Sequence, residues 1–201
     1  MLRCLSILAL LLAAGQPASA ADIRQKTTYF TVRGATLEEL DRDLDRNGPL
    51  MATTGTRHPG ATEVKFGGKI THKPKEGSCS VASTALTLHL VETLPKWMRP
   101  KGASARTALI WETLSDDIAR HEAQHAKIAR RYVKKMESAL RNLTPERSCD
   151  AMEARVNTVS ARYLAWHQEA QAEFDTIEGR EMNMRLRRLL KRNVADAAAQ
   201  P

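Results

Sequence analysis

The chain has 201 residues, of which 27% are charged and 42% are hydrophobic, and its formal net charge is +8. A chain of this length can bury one good core, and no stretch rich in Pro, Gly or Ser divides it, so we expect a single domain over residues 21–201. Only 4% of the residues are aromatic. Because base stacking needs aromatic side chains, the positive charge does not indicate nucleic-acid binding.

The first twenty residues have the three regions of a secretory signal. Arg3 precedes an apolar run from Leu5 to Ala14, and the small residues Ala18-Ser19-Ala20 form a cleavage pattern. The apolar run is too short to cross a bilayer. We therefore expect residues 1–20 to be a signal peptide. The mature chain then begins near Ala21 and is exported to the periplasm or the cell exterior.

Two cysteines, Cys79 and Cys149, remain after this leader. An exported chain with an even number of cysteines usually pairs them, so we expect a disulfide bond, and the alternative is two buried thiols. By the loop-entropy model such a bridge could stabilise the fold by about 4 kcal/mol.

The first half of the chain has mixed secondary-structure signals. Residues 27–33 are rich in strand formers, and Thr36-Leu37-Glu38-Glu39 is a capping-box signature for a short helix that ends at Asn47-Gly48-Pro49. Strands are predicted over residues 62–71 and 83–92, after an irregular loop. The second of these strands, over 84–91, is our candidate for the edge that pairs with an extended ligand.

The second half has a helical period. Apolar residues recur at three- and four-residue spacing from Trp111 to Leu140, which predicts one long helix. The helix signal fades at Asn142 and restarts at Thr144-Pro145-Glu146, where Thr is a good N-cap and Pro fits the first helical position. The apolar period then continues to Gly179. A short connection makes the two helices antiparallel neighbours.

The most specific motif lies in the first long helix and reads His121-Glu122-Ala123-Gln124-His125, a HExxH. Four residues are close to one helical turn, so both imidazoles leave the same face and can share one metal ion, with Glu122 beside them. Both histidines also lie on the apolar stripe, where each imidazole needs a polar partner. The alternative is a pair of core histidines bonded to backbone, but the spacing favours zinc ligands and Glu122 as the general base.

In these motifs the chain resembles a bacterial domain-of-unknown-function family described as predicted secreted zinc-dependent proteases. The resemblance implies a zincin-like zinc peptidase of undefined substrate, with His121 and His125 as ligands and Glu122 as base. The features that carry it are the leader, the HExxH motif, Asn47-Gly48-Pro49, Cys79, Leu94-Pro95-Lys96-Trp97, Trp111, Ser148-Cys149 and Phe174-Asp175.

The sequence leaves three candidates for the third zinc ligand. The resemblance favours Asp175, although the family pattern continues with Thr-x-His-Gly where this chain has Thr176-Ile177-Glu178-Gly179. Counting back from a turn near Leu143 along two straight helices places residues 162–167 at the height of the motif, which favours His167. Glu178 is a third option if the return helix bends toward the site.

The sequence thus predicts an α+β fold. A small N-terminal sheet with a short helix precedes the HExxH helix, an antiparallel return helix and a basic C-terminal helix. The expected function is peptide hydrolysis by an exported zinc peptidase acting on a peptide or protein substrate. The alternative is a non-catalytic envelope protein that keeps the metal and binds an anionic membrane surface or a protein partner. The basic helix that would bind such a surface carries Arg180, Arg185, Arg187, Arg188, Lys191 and Arg192.

Overall fold

The computed structural model describes residues 20–51 and 55–199. The predicted leader lies outside this part of the chain except for Ala20. The fold is α+β, as predicted, with three strands and three helices among the described residues. In chain order these are β1 (Asp22–Val32), α1 (Leu37–Asn47), β2 (Ala61–Lys75), β3 (Ser78–Trp97), α2 (Ala105–Arg141) and α3 (Cys149–Ala199).

The sheet has the strand order β1-β3-β2, with β1 parallel and β2 antiparallel to β3. Because β3 pairs on both sides, the prediction that residues 84–91 offer a free edge is wrong. The alternation of Leu86, Leu88 and Leu90 correctly indicates a strand with one buried face, but it carries no information about the strand's position in the sheet. The two strands at the edges of the sheet are β1 and β2.

Helix α1 is held by the predicted capping box. The side chain of Thr36 accepts a hydrogen bond from the backbone N–H of Glu39, and the Glu39 carboxylate accepts one from the N–H of Thr36. Leu40 and Leu44 are buried in a cluster that includes Trp111 of α2. This contact ties the first part of the chain to the start of the long helix.

The main core lies between the sheet and the two long helices. Its most buried side chains, each at most 1% exposed, come from β3, α2 and α3 and include Leu88, Leu90, Val133, Leu140 and Met152. Burial of one such side chain stabilises the fold by about 1.5–3 kcal/mol. The core therefore fixes the helix pair against the sheet and sets the position of every residue on their facing sides.

The connection between the two helices differs from its prediction. Helix α3 begins at Cys149, and Ser148 Oγ accepts a hydrogen bond from the N–H of Ala151. The predicted start at Thr144-Pro145-Glu146 is wrong because the backbone of Glu146 pairs with Cys79, through N–O contacts of 2.7 and 2.9 Å. Cys79 and Cys149 form a disulfide bond at the same place.

Helix α3 is one element of 51 residues, so the predicted end at Gly179 and the separate basic helix are wrong. A single glycine lowers helix stability by only about 1 kcal/mol. Side-chain contacts with α2 continue beyond it, from Arg185 to Asp117 and from Asn193 to Thr113. Over residues 20–51 and 55–199, none of the helices combines the length and apolar character that a membrane crossing requires.

Candidate metal centre and cleft

The two motif histidines face α3 from the middle of α2. Their Nε2 atoms are 3.0 Å apart. Oδ1 of Asp175 on α3 lies 3.4 Å from His121 Nε2 and 3.0 Å from His125 Nε2. Tetrahedral zinc with bonds of about 2.0–2.1 Å separates its ligand atoms by about 3.3 Å. The three atoms therefore form a triangle of the size that one zinc ion requires.

The ring of Phe174 packs against both imidazoles, with centroid distances of 4.9 Å to His121 and 5.0 Å to His125. This aromatic residue precedes Asp175 in the chain. It limits rotation of the two rings, so it helps to keep both Nε2 atoms directed at the carboxylate.

Gln171 determines which nitrogen of His125 carries the proton. The amide Nε2 of Gln171 donates to the backbone carbonyl of His125 at 3.2 Å, which directs its Oε1 toward His125 Nδ1 at 2.7 Å. An amide oxygen can only accept, so Nδ1 of His125 holds a proton, and in the neutral ring Nε2 keeps the lone pair that a metal ion between His121 and Asp175 would need. This is how outer hydrogen bonds commonly orient a histidine that binds a metal.

His167 does not join the group formed by His121, His125 and Asp175. Its Nε2 lies 2.9 Å from Gln171 Nε2 and accepts a hydrogen bond there, and its ring meets Phe66 edge-on at 4.9 Å. Burial lowers the pKa of His167, and the nearby His125 lowers it further. The prediction that His167 is a zinc ligand is therefore not supported by its position. Gln171 lies between His167 and His125.

The reason for that difference is the register of the helix pair. The residues of α3 level with the motif are 171–175, and the count along straight helices gives 162–167. The connection between the helices has seven residues, Asn142 to Ser148, and contains the bridge to Cys79. The assumed tight turn near Leu143 was therefore too early in the chain, which accounts for part of the shift.

Glu178 lies beside the triangle and is held by arginines. Its Oε2 lies 3.7 Å from His121 Nδ1, and it pairs with Arg120 and, at 3.0 Å, with Arg185. Arg185 also binds both carboxylate oxygens of Asp117. Burial acts to raise the pKa of Asp117, but hydrogen bonds from Arg185 and Arg120 hold this pKa below its usual value.

Glu122 is 5% exposed and lies next to the triangle. Thr62 Oγ1 on β2 lies 2.9 Å from Glu122 Oε2. Burial raises the pKa of Glu122, and the hydrogen bond from Thr62 opposes this effect. At Gly60 an added Cβ would lie 2.9 Å from Glu122 Oε1 and 2.8 Å from Cγ2 of Ile118. The absence of a side chain at Gly60 leaves room for the carboxylate.

A cleft of about 680 Å³ opens over this group, between the helix pair and the start of β2. The lining combines the candidate ligands and Glu122 with apolar side chains and the ion pair of Asp117 and Arg185. The apolar members include Met51, Val64, Leu114, Ile118 and Met182. The volume is in the range of cavities that bind small molecules or a few residues of a peptide.

The sequence patterns did not place Gln171, Thr62 or Gly60 at the site, and they assigned Arg185 to the basic surface and not to its ion pairs with Asp117 and Glu178. One signal could have found Gln171, because it lies four residues after His167 and four before Asp175 on the same face of α3. The other three depend on how β2 and the distal half of α3 pack against α2, and no local spacing encodes that packing.

Comparison with known proteins returns one family. The chain matches the family described as "Bacterial protein of unknown function (DUF922)" over residues 27–182. The matched range contains the HExxH motif, Gln171 and Asp175. No curated protein and no solved structure matches the chain.

Proposed function

The chain belongs to the DUF922 family of bacterial proteins of unknown function, and we propose that it is an exported zinc-dependent peptidase. One observation carries the proposal. Nε2 of His121, Nε2 of His125 and Oδ1 of Asp175 converge within 3.0–3.4 Å of one another beside the buried carboxylate of Glu122.

The donor set fits zinc. Two neutral imidazoles and one carboxylate are a ligand set of catalytic zinc sites, where a fourth position is left to water or substrate. Calcium and magnesium prefer all-oxygen sites, so the two imidazoles argue against them. Burial and the neighbouring His125 lower the pKa of His121, which favours the neutral ring that a metal needs.

Glu122 has the placement of a general base. When bound, zinc supplies a water molecule of lowered pKa and polarises the carbonyl that is attacked. Thr62 holds Oε2 of Glu122, and Oε1 lies beside Gly60, which lines the cleft together with Glu122. Glu122 takes a proton from the attacking water and passes it to the leaving amine. The pKa raised by burial makes the carboxylate a better proton acceptor.

The cleft and the edge strand fit an extended peptide. Residues Gly60 to Thr62 and Val64 line the cleft, and the last three of these belong to β2, which is the edge strand on the cleft side of the sheet. An edge strand can pair with the backbone of a bound peptide, and apolar side chains can hold its residues. We therefore assign to β2 the pairing with an extended peptide that the sequence analysis assigned to β3.

The test compares the purified mature protein with its Glu122→Gln variant. We expect one zinc per chain in both, and cleavage of casein or a peptide library by the parent protein alone. Loss of the base should lower kcat/KM by about 10²- to 10⁴-fold. Glu112→Gln, a change of an exposed carboxylate on the same helix, is the matched control and should leave cleavage unchanged.

A second function class is favoured by the exposed charge on α3. Arg180, Arg187, Arg188, Lys191 and Arg192 are exposed, and Arg185 alone of the basic group joins the ion pairs at the centre. A non-catalytic envelope protein could use this face to bind an anionic surface. Stoichiometric zinc without cleavage of any library peptide, together with binding to anionic vesicles, would replace the peptidase proposal with this one.

A further inference from the structure

We propose that the ammonium group formed at Ala21 by removal of the leader pairs with the buried carboxylate of Glu137, so that processing completes the fold. The inference rests on cleavage after Ala20, which the sequence pattern predicts, and is independent of the proposed peptidase function.

The first observation is the position of Ala21. Its backbone nitrogen lies 3.2 Å from Oε2 of Glu137 on α2. Ala21 is partly buried against the main core, and Ala20 before it is exposed. The adjoining strand β1 pairs with β3 from its first residue, Asp22. The nitrogen is thus fixed inside the fold, while Ala20 directly before it lies at the surface.

The second observation is the incomplete set of partners around Glu137. This side chain is 7% exposed, and its Oε1 has no hydrogen-bond partner among the described residues. The guanidinium of Arg141 lies 3.1 Å from Oε1 without forming a hydrogen bond there, and its side chain is 42% exposed. A buried carboxylate is costly unless its charge and its oxygens are matched.

Processing would add a second cation and further hydrogen-bond donors to this carboxylate, which already forms an ion pair with Arg141. Hydrolysis adds one water across the Ala20–Ala21 peptide bond, and the new carboxylate leaves with the leader. The amine stays on Ala21 and takes up a proton at neutral pH, since an α-amino group has a pKa of about 7.7–8.0. One neutral N–H donor thereby becomes a cation with three donors, whose nitrogen lies 3.2 Å from Oε2 of Glu137. The side chain of Asp22 does not compete because it pairs with Arg24.

The test is a double-mutant cycle on thermal unfolding. One protein begins with a free Ala21, and the second carries a Gly-Ser extension before it. Each is made with Glu137 and with Glu137→Gln. We expect the extension to lower Tm by about 3–6 °C with Glu137 and by less than about 1 °C with Glu137→Gln. Equal shifts in the two backgrounds, or no shift in either, would overturn the proposal. Glu153→Gln, at an exposed position on α3, is the matched control.

A second measurement keeps the proposal testable if Glu137→Gln does not fold. An amine-selective reagent should modify the α-amino group of the folded mature protein about tenfold more slowly than that of the urea-unfolded chain. Equal rates would contradict the pairing. Neither readout uses catalysis or zinc, so failure of the peptidase proposal cannot be mistaken for failure of this one.

Discussion

At the scale of single residues, the candidate centre depends on hydrogen bonds from side chains that do not themselves reach the metal position. Gln171 bonds to both the Nδ1 and the backbone carbonyl of His125, and His167 accepts from the same amide. The hydrogen bonds that Gln171 makes to His167 and His125 thus orient the imidazole of His125 and assign its tautomer. The pair His121 and His125 was predictable because its geometry is set within one helical turn.

Replacing Gln171 by Leu should weaken zinc binding by about 10- to 100-fold, because Nδ1 of His125 then loses its acceptor and the ring loses its fixed orientation. The measurement is a competition titration against a chromogenic chelator. Gln168→Leu, an exposed change on the same helix, is the control and should bind zinc like the parent. Equal affinity for the Gln171 variant would show that the tautomer is set by other contacts.

Local sequence patterns could not decide whether Asp175 or His167 is the third candidate ligand. Both side chains can bind zinc, and both lie on the return helix. The choice depends on how far α3 is displaced along α2, and that displacement is set by the core and by the connection that pairs with Cys79. A shift of eight or nine residues exchanges one acceptable ligand for another without changing any local pattern.

At the scale of elements, the connection between α2 and α3 is held by two kinds of bond. The backbone bridge between Cys79 and Glu146 and the disulfide bond to Cys149 fix the start of β3 to the start of α3. Strands, α1 and α2 were predictable from alternation, capping and helical period. The two ends of α3 were not predictable. The helix tolerates Gly179 because contacts with α2 continue beyond it, and it begins only at Cys149 because the backbone of Glu146 pairs with Cys79.

Removing the disulfide bond should destabilise the fold strongly. For C79A/C149A we expect a loss of about 4 kcal/mol, because the unfolded chain regains the freedom of a long loop, and a fall in Tm of roughly 10 °C. Differential scanning calorimetry measures this change. The parent protein under reductant is the matched comparison and should show a similar fall, whereas reductant should leave the double variant unchanged. An unaltered Tm in either case would mean that the bridge adds no stability.

At the scale of the whole molecule, the centre joins parts that are distant in the chain. The sheet brings Thr62 to Glu122, α2 supplies both histidines, and α3 supplies Asp175 and Gln171. The same three elements line the cleft. The small sheet, the helix pair and the disulfide bond therefore act together as the scaffold of one candidate site, which is why a motif of five residues could indicate two candidate ligands but not the carboxylate that lies beside them.

The most direct test of the central claim is anomalous diffraction at the zinc edge from crystals of the mature protein grown with one equivalent of zinc. We expect a single strong peak with bonds of about 2.0–2.2 Å to His121 Nε2, His125 Nε2 and an oxygen of Asp175. A peak bound by His167 in place of Asp175, or no peak between the two motif histidines, would contradict the proposed centre.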